Sequence, residues 1–511
     1  MGTPLWMLSP WAIFALAAGL KFWRLASLFS KHLITAGATD SLWQDHGASS
    51  MMGRSNAYEA PPLTGPTALR HQGLERLLDL PPFVLSLFSS LLLPLPQTLL
   101  VSAIATAGLG PGIGLVALAL IGSGNLLITA GLSESIVRLG PEASGCTTLP
   151  AVALYYLGPT GSRVATFAIL TMWFTALVGG MLGFIDVMAG FTNTPQIPWL
   201  LGLSVLVIGL NARRSLGFSV MMMLGIVTFL LLLAIAIGVL PHMAPWAEQE
   251  FWSPLPQVNP WSLPPWSSLI AISFYTFFGV SLLAPAASFV LPRDPSGATF
   301  IRGSIAGALA MMAVVIGWLI LVSQVVPRQI LQGLKGTVLV SLGGTGHPVL
   351  ALFCASLAIT LSGFAAIRAG GVLGNQLRDL PIARTGWRRK LLPAVPTLAA
   401  LLLILGWMES GTTNLTAALS VGGGLGIPVG CWIVPTMILR QARLKRPGLI
   451  TGSLDPVGHP IVTSSLLVVG LLVLLMFGLL LWTWWPIKIF TVALALGLAF
   501  WIFWLQPQWE A

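Results

Sequence analysis

Long apolar runs separated by short polar segments make up most of the chain from residue 82 to residue 505. A helix needs about 20 mostly apolar residues to cross the hydrocarbon core of a bilayer, so each run is a candidate span. The pattern predicts an all-α polytopic membrane protein with about twelve transmembrane helices. In chain order, predicted spans one to twelve cover residues 82–107, 113–136, 162–190, 196–212, 216–240, 267–291, 303–326, 347–372, 391–408, 413–438, 461–482 and 485–505.

The N-terminal segment departs from this pattern. Residues 6–29 are apolar but are interrupted by Lys21 and Arg24, and the uninterrupted part is too short to span a bilayer. We interpret this stretch as an interfacial helix that lies on the membrane surface. The remainder of residues 1–80 is polar and rich in Gly, Ser and Pro, which predicts a loose cytoplasmic lead-in.

The composition agrees with a membrane protein. Charged residues make up 8% of the chain, against roughly a quarter in soluble domains, and the mean hydropathy is +0.88. A soluble protein of this size would need far more charge to cover its surface. The three cysteines, Cys146, Cys354 and Cys431, lie far apart in the sequence and predict neither a disulfide framework nor a metal site.

The basic residues predict the orientation of the spans. If the twelve spans alternate, all but three of the 25 Lys and Arg residues fall on one side; the exceptions are Arg328, Lys335 and Lys488. Basic residues are retained in the cytoplasm during insertion, so that side and both termini are predicted to be cytoplasmic. This count assigns Arg368, near the end of predicted span eight, to the cytoplasmic cluster that follows that span. Because the basic residues stand between apolar runs, the net charge of +10 does not indicate nucleic acid as a partner.

Motifs of common catalytic sites are missing from the sequence. It contains no G-x-x-x-x-G-K-[ST] phosphate-binding loop, and its six histidines are isolated, without ligand partners at helical spacing. No nucleophile elbow with plausible His and Asp partners is present. We therefore expect neither an enzyme nor a cofactor, and no bound metal.

A short motif recurs in spans one and six. Residues 90–94 read S-L-L-L-P and residues 281–285 read S-L-L-A-P, each in the middle of its span. Proline removes a backbone donor and clashes with the preceding turn, so Pro94 and Pro285 predict matched helix breaks, which typify secondary transporters. The alternative is a chance match in a leucine-rich chain.

The positions of these breaks suggest an internal repeat. Each break falls in the first span of a possible five-helix unit, residues 82–240 and residues 267–440, and two trailing helices occupy residues 461–505. Since five is odd, the second unit would cross the membrane in the inverted direction.

Four stretches carry a resemblance to a known family. Span one and its exit read L-L-L-P-L-P-Q-T-L-L-V-S-A-I-A-T-A-G-L-G-P-G, and span two ends with G-L-S-E and R-L-G-P. The segment before span three reads Y-Y-L-G-P-T-G, and span six reads F-Y-T-F-F-G-V, followed by L-P-R-D-P. These stretches resemble signatures of the amino acid permeases of the amino acid–polyamine–organocation superfamily, over roughly residues 82–440.

This resemblance implies a fold and a location for the substrate. The fold would be the five-plus-five inverted repeat of leucine-transporter type, with the substrate between spans one, three, six and eight. Two features depart from the family pattern. Serines and Pro94 replace the glycine-rich break of span one, and Ser288 replaces an acidic residue near the end of span six.

By the same resemblance, the carboxylate and amino groups of a substrate would meet opened backbone near Ser89, Ser90, Gly279 and Ser281. Phe278 would form a wall of the pocket. The alternatives are that the serines bond only to their own helix backbone and that the aromatic side chain packs against core or lipid.

Three polar residues are candidates for binding a coupling ion. Asp186 is a carboxylate within span three, which is a costly placement, while Ser356 and Thr360 lie one helical turn apart in span eight. The alternatives are a solvated Asp186 at the outer interface and hydroxyls that only join helices. Coupling to H⁺, coupling to Na⁺ and simple exchange all remain open.

Two further features are expected to be structural. Glu134 and Arg138 have the i,i+4 spacing of an ion pair on a helix surface. Gly422, Gly423 and Gly424 lack the following lysine of a phosphate loop and are expected to allow close packing or bending of span ten.

The sequence therefore favours a secondary active transporter, or permease, in the cell membrane. It would move amino acids or similar small zwitterions by alternating access, with the lipid bilayer as its surroundings. The alternative is a membrane channel or a non-transporting membrane scaffold. The identity of the substrate, the direction of transport and the oligomeric state are not predicted.

Overall fold

The computed structural model describes most of the chain after the lead-in. The described residues are 80–92, 97–140, 148–213, 218–242, 251–256, 258, 263–294, 296–344, 348–378, 391–411, 414–445, 457, 459–481 and 485–502. The predicted lead-in (1–80), with its interfacial helix, lies outside them except for residue 80, as do both termini and Pro94.

The described residues form helices and no strands. The α-helices, in chain order, are α1 Pro82–Leu91, α2 Ser102–Ala107, α3 Pro111–Leu139, α4 Leu149–Thr192, α5 Gln196–Arg213, α6 Phe218–Val239, α7 Leu263–Thr276, α8 Leu283–Val290, α9 Ala298–Val325, α10 Arg328–Gly333, α11 Val338–Gly343, α12 Pro348–Ala358, α13 Phe364–Arg378, α14 Val395–Glu409, α15 Leu415–Val421, α16 Val434–Lys445, α17 Pro460–Met476 and α18 Trp485–Phe500. Short 3₁₀ and π-helical segments join several of them.

Nine helical segments in the described part of the chain are long and apolar enough to cross a membrane. They are Pro111–Leu139, Leu149–Thr192, Met222–Val239, Pro265–Val290, Ala298–Val325, Pro348–Leu377, Leu392–Glu409, Leu415–Lys445 and Pro460–Leu479. Three shorter apolar helices cover Pro82–Leu91, Gln196–Asn211 and Ile487–Phe500. The predicted all-α polytopic architecture is confirmed, since every one of these helices falls on a predicted span.

Three of the spans form the centre of the bundle. In the segments Leu149–Thr192, Pro265–Val290 and Leu415–Lys445, 83% of the most apolar window is buried, against 28% in Leu392–Glu409. Helices that are apolar on all sides but buried on only part of their surface are suited to contact with lipid. The core of the protein therefore surrounds spans three, six and ten.

Helix α4 contains a sharp kink before it enters the centre. Gly158 adopts φ 69° and ψ −166°, a conformation open to glycine, and Pro159 follows it. Proline cannot continue the hydrogen-bonding pattern of the preceding turn, so the helix bends here. Helical structure begins before this kink, at Leu149, which is 13 residues before the predicted start of span three at residue 162.

Span one is interrupted near its middle. Helix α1 ends at Leu91, and the chain continues as a 3₁₀ segment, Gln97–Leu100, before α2 begins at Ser102. The Leu99 carbonyl is not used within a regular α-helix and accepts a hydrogen bond of 2.6 Å from the Trp318 indole of α9. Backbone groups at this depth have no water to bond, so a neighbouring helix must satisfy them.

Span six is interrupted in the same way. Helix α7 ends at Thr276, and the 3₁₀ segment Phe278–Leu282 separates it from α8. Pro285 lies in the first turn of α8, where a missing N–H is tolerated because that donor has no partner inside the helix. The Phe278 carbonyl accepts a hydrogen bond of 2.9 Å from the Ser281 hydroxyl, and the Cys431 sulfur lies 3.6 Å from it.

The two interrupted spans pack against each other in opposite directions. Helix α1 contacts α8, while α2 and the segment Gln97–Leu100 contact α7. The first half of each span thus lies beside the second half of the other. This arrangement brings the two interruptions together in the interior of the bundle.

The glycine-rich part of span ten packs closely beside α7. Span ten changes from α-helix to π-helix at Gly422–Gly426 and again at Pro428–Ile433. A side chain at Gly423 would collide with the backbone oxygen of Ala271, and one at Gly422 with Thr175 and Tyr275. The expectation that these glycines permit close helix packing is confirmed.

Candidate functional site

A cavity lies beside the interruptions of spans one and six. It lies between the side chains of five spans. Spans one, three, five, six and eight contribute its lining residues, which are Leu92, Gln97, Trp173, Ala176, Gly225, Thr228, Tyr275, Phe278, Thr360, Leu361, Phe364, Ala365 and Arg368. We call this space the central cavity.

Arg368 supplies a positive charge to the central cavity. It lies on α13, is only 8% exposed, and its guanidinium carbon stands 5.2 Å from the centre of the Trp173 ring. Arg368 was expected among the basic residues of the cytoplasmic loops, but it is buried and lines the central cavity. The helix continues past it for ten residues, to Arg378.

Aromatic side chains form one wall of the central cavity. Trp173 meets Phe278 edge to face at 6.0 Å, and Tyr275 lies 5.8 Å from Phe278. Such rings give a rigid, mostly apolar surface with a positive edge and a negative face. Phe278 therefore lines the central cavity, and its role in binding a substrate stays a prediction. The face of Trp173 lies beneath the Arg368 guanidinium.

Gln97 is held in a fixed orientation at the break of span one. Its amide nitrogen donates a hydrogen bond of 2.9 Å to the Ala176 carbonyl. Since a carbonyl only accepts, this bond identifies which end of the amide is nitrogen. The other end, Oε1, is buried without a hydrogen-bond partner in a residue that is 4% exposed. An unpaired acceptor at this position suits a donor group on a ligand.

A second, smaller cavity lies on the other side of the span-six interruption. Its lining includes Ser90, Asn125, Thr129, Phe277 and Gly279. Two oxygens within it, Ser90 Oγ and Asn125 Oδ1, are buried without hydrogen-bond partners. Uncharged oxygens of this kind suit water or a small ion. We call this space the side cavity.

The residues predicted to bind substrate do not all line one cavity. Phe278 lines the central cavity, whereas Ser90 and Gly279 line the side cavity. Ser89 and Ser281 bond to their own helices, since their hydroxyls donate to the Ser86 carbonyl at 2.8 Å and the Phe278 carbonyl at 2.9 Å. Ser89 and Ser281 therefore follow the alternative interpretation, in which these serines bond to the backbone of their own helix.

Asp186 lies away from both cavities. Its carboxylate accepts hydrogen bonds from the backbone nitrogen of Thr337 at 2.8 Å and from the Thr337 hydroxyl at 3.2 Å. Thr337 immediately precedes helix α11. The carboxylate therefore fastens the start of α11 to span three, and a role in coupling stays a prediction.

Of the two hydroxyl residues predicted in span eight, only Thr360 lines one of the two cavities. Thr360 lines the central cavity, and its hydroxyl donates to the Ser356 carbonyl at 3.1 Å and lies 3.2 Å from the Leu357 carbonyl. Ser356 does not line either of the two cavities. Thr360 lies in the π-helical turn Ile359–Gly363, which interrupts the α-helix of span eight.

Glu134 is the centre of a buried ion cluster rather than of a surface pair. Its carboxylate lies 2.7 Å from Arg138 of the same helix and 2.7 Å from Arg443 of α16, and Glu134 is fully buried. The expectation of a surface pair is wrong because α16 covers this end of α3. Arg443 is 309 positions away, so spacing along one helix gives no sign of it.

Sequence reasoning missed several lining residues of the central cavity, chiefly Arg368, Gln97 and Trp173. A signal for Arg368 existed, because it falls inside predicted span eight, where an ionisable residue is functional by default. Gln97 had a weaker signal, as an amide three residues after Pro94. Trp173 had none, since tryptophan is common throughout this chain.

No protein-family model matches this chain, and no curated protein matches it.

Proposed function

We propose that the protein is a secondary active transporter that moves amino acids or similar small zwitterions by alternating access. The main support is the central cavity, which lies where two interrupted, oppositely directed helices meet. Transporters place substrate sites at such helix interruptions because opened helix ends present backbone dipoles to the ligand.

The number of helices supports the same proposal. Nine long spans and three shorter apolar helices coincide with the twelve predicted spans. Spans one and six, the first of each proposed five-helix unit, are the ones whose α-helix gives way to 3₁₀ segments beside the cavity. We propose a five-plus-five inverted repeat with two trailing helices, as in the amino acid–polyamine–organocation superfamily.

Uptake into proteoliposomes tests the proposal. We expect saturable uptake of a radiolabelled amino acid or similar small zwitterion, driven by a proton or sodium gradient or by exchange. Absence of saturable uptake across a broad panel under all three conditions would contradict it. A current that does not saturate with solute concentration would instead indicate the channel alternative.

A matched pair of variants links uptake to the central cavity. Ala365→Phe adds a ring to a residue that lines the cavity, whereas Leu206→Phe changes a lipid-facing residue of α5 that is 49% exposed. We expect Ala365→Phe to abolish uptake and Leu206→Phe to leave it unchanged, with similar melting temperatures. Equal uptake by both variants would place the transport path elsewhere.

A further inference from the structure

Gln97 brings an unused hydrogen-bond acceptor to the lining of the central cavity. Its Oε1 is buried and has no hydrogen-bond partner among the described residues. The bond of 2.9 Å from Nε2 to the Ala176 carbonyl keeps the amide from turning, because a turned amide would place two acceptors against each other. An unpaired acceptor enclosed in this way carries a desolvation cost, which a donor group on a ligand offsets.

The described aromatic residues of the wall do not form a cage for a quaternary ammonium group. Such a cage surrounds the cation with the negative faces of several rings. Here the Arg368 guanidinium covers one face of Trp173, at 5.2 Å from the ring centre. Trp173 and Phe278 meet edge to face at 89°, so their contact covers a face of one ring with the edge of the other. The oxygen of Gln97 is therefore the better partner for an ammonium group that carries N–H donors.

We propose that Gln97 Oε1 accepts a hydrogen bond from the ammonium group of the substrate. The central cavity then takes zwitterions with at least one N–H donor and discriminates against those whose nitrogen is fully methylated. This inference rests on the proposed transport function and names the substrate class within the small zwitterions. Hydrogen bonds from a charged donor are about twice as strong as neutral ones, and a ligand without the donor leaves the buried oxygen unpaired.

The rest of the lining suits the alkyl part of such a ligand. Leu92, Leu361, Phe364 and Ala365 contribute apolar surface, and the hydroxyl of Thr360 donates within its own helix. Pockets for small ligands commonly combine an apolar lining with a few placed polar groups. Moving a methyl group on the ligand should therefore change its fit only moderately, unless the methyl group replaces the last N–H.

Three pairs of isomers separate hydrogen bonding from size. The pairs are alanine and sarcosine, 2-aminobutyrate and N,N-dimethylglycine, and valine and betaine, and all of these solutes are zwitterions without net charge at pH 7. The first member of each pair is a primary amine. The second member loses one more N–H donor in each successive pair, and betaine has none. Binding is measured as the rise in melting temperature of the purified full-length protein with increasing solute.

We expect a threshold at the last N–H rather than a gradual decline. Sarcosine and N,N-dimethylglycine should bind within about threefold of their isomers, since each still has a donor for Gln97. Betaine should bind at least about tenfold more weakly than valine, because the buried acceptor then loses its donor. Betaine binding as tightly as valine, a loss that grows evenly with each methyl group, or no binding by any of these solutes would overturn the inference.

Two matched glutamine variants assign the threshold to its residue. Gln97→Met keeps the length of the side chain and removes the acceptor, so this variant should bind valine and betaine about equally. Gln324→Met removes another buried, unpaired glutamine oxygen, on α9, and Gln324 lines neither cavity. It should keep the wild-type preference for valine.

The two ligands are compared within one variant, so the lost bond from Gln97 to Ala176 does not by itself remove the preference. A preference for valine that survives Gln97→Met unchanged would contradict the assignment to this residue. If that variant fails to fold, the isomer series on the wild-type protein still decides the inference.

Uptake measurements keep this inference apart from the proposed function. Equal uptake of radiolabelled valine and betaine into proteoliposomes would leave the transport proposal standing and overturn the inference. If the binding threshold is found but none of the solutes is taken up, the selectivity of the cavity stands and the transport proposal fails.

Discussion

The hydroxyl oxygens of Thr98 and Thr276 lie 2.9 Å apart, and a hydrogen bond joins them. Thr98 belongs to the 3₁₀ segment that interrupts span one, and Thr276 is the last residue of α7, where span six is interrupted. Both residues are almost completely buried. This contact therefore fastens the two interruptions together beside the central cavity.

Removing either hydroxyl should lower the free energy of unfolding, because both variants lose the same hydrogen bond. Thr98→Val and Thr276→Val keep the side-chain shape and remove the bond, which should cost about 0.5–1.5 kcal/mol of unfolding free energy. Because the two residues share one contact, the double variant should cost less than the sum of the single variants. Chemical denaturation in detergent measures all three values.

Thr98→Ser and Thr276→Ser are the controls, since they keep the hydroxyl and should keep most of the coupling. Strictly additive losses in the valine double variant would show that the hydroxyls do not stabilise the crossing as a pair.

Substitutions in the Glu134 cluster should destabilise the protein more than substitutions at exposed charged residues. Removing one member of a buried ion cluster leaves the remaining charges without compensation, at a cost of about 3–5 kcal/mol. We therefore expect Glu134→Ala to lower the melting temperature strongly, because Arg138 and Arg443 would then face each other without the carboxylate. Thermal unfolding in detergent measures the effect.

Glu409→Ala is the matched comparison, because Glu409 is exposed at the end of α14. It should change stability by no more than about 0.5 kcal/mol. A Glu134 variant as stable as the Glu409 variant would mean that the cluster is not needed to hold α3 against α16.

The sequence predicted the architecture because the signal for it is local. Twenty apolar residues in a row require burial or lipid wherever they stand, and the predicted spans coincide with the observed helices. A proline within an apolar run is a local signal too, and Pro285 stands in the first turn after an interruption. The start of span three was placed too late, because the helix begins at Leu149 and runs on both sides of the kink at Gly158.

The central cavity could be predicted only in part, because most of its contacts join distant segments. The family resemblance suggested Phe278 as part of the wall of a pocket. The meeting of Arg368 with Trp173, and of Gln97 with Ala176, depends on how spans one, three and eight pack. Likewise, Glu134 has one partner at helical spacing and another 309 positions away, and only the first leaves a trace in one sequence.

The close approach of span ten to α7 gives a steric prediction. Gly423→Ala places a methyl group against the Ala271 backbone oxygen, which cannot move without shifting α7. Overpacking of this kind costs about 1–3 kcal/mol or more, so the variant should unfold at a lower temperature.

Gly317→Ala in α9 is the counterpart, because no atom lies within 4 Å of the position of its added carbon. Alanine favours the helix there by about 0.5–1 kcal/mol, so this variant should be equally stable or more stable. Equal melting temperatures for the two alanine variants would contradict the close contact at Gly423.

Asp294 predicts a pH dependence outside the membrane-spanning segments. Its carboxylate accepts hydrogen bonds from Ser296 and Thr299 at the start of α9. Bonds from the Ser296 and Thr299 hydroxyls lower the pKa of Asp294 from 3.8 to about 2. The ionised carboxylate is thus favoured in the folded protein, where it also lies near the positive end of the α9 dipole.

Because the folded pKa lies below the unfolded pKa, the unfolded chain takes up the proton first as the pH falls. The contribution of Asp294 should be complete above about pH 4 and should disappear as the pH falls from about 4 to about 2. Wild type should therefore melt above Asp294→Asn at neutral pH, and the difference should close in that acidic range. Other carboxylates titrate alike in both proteins, so the difference isolates this residue. A gap that persists unchanged at pH 2 would show that the amide costs stability through its shape rather than through the missing charge.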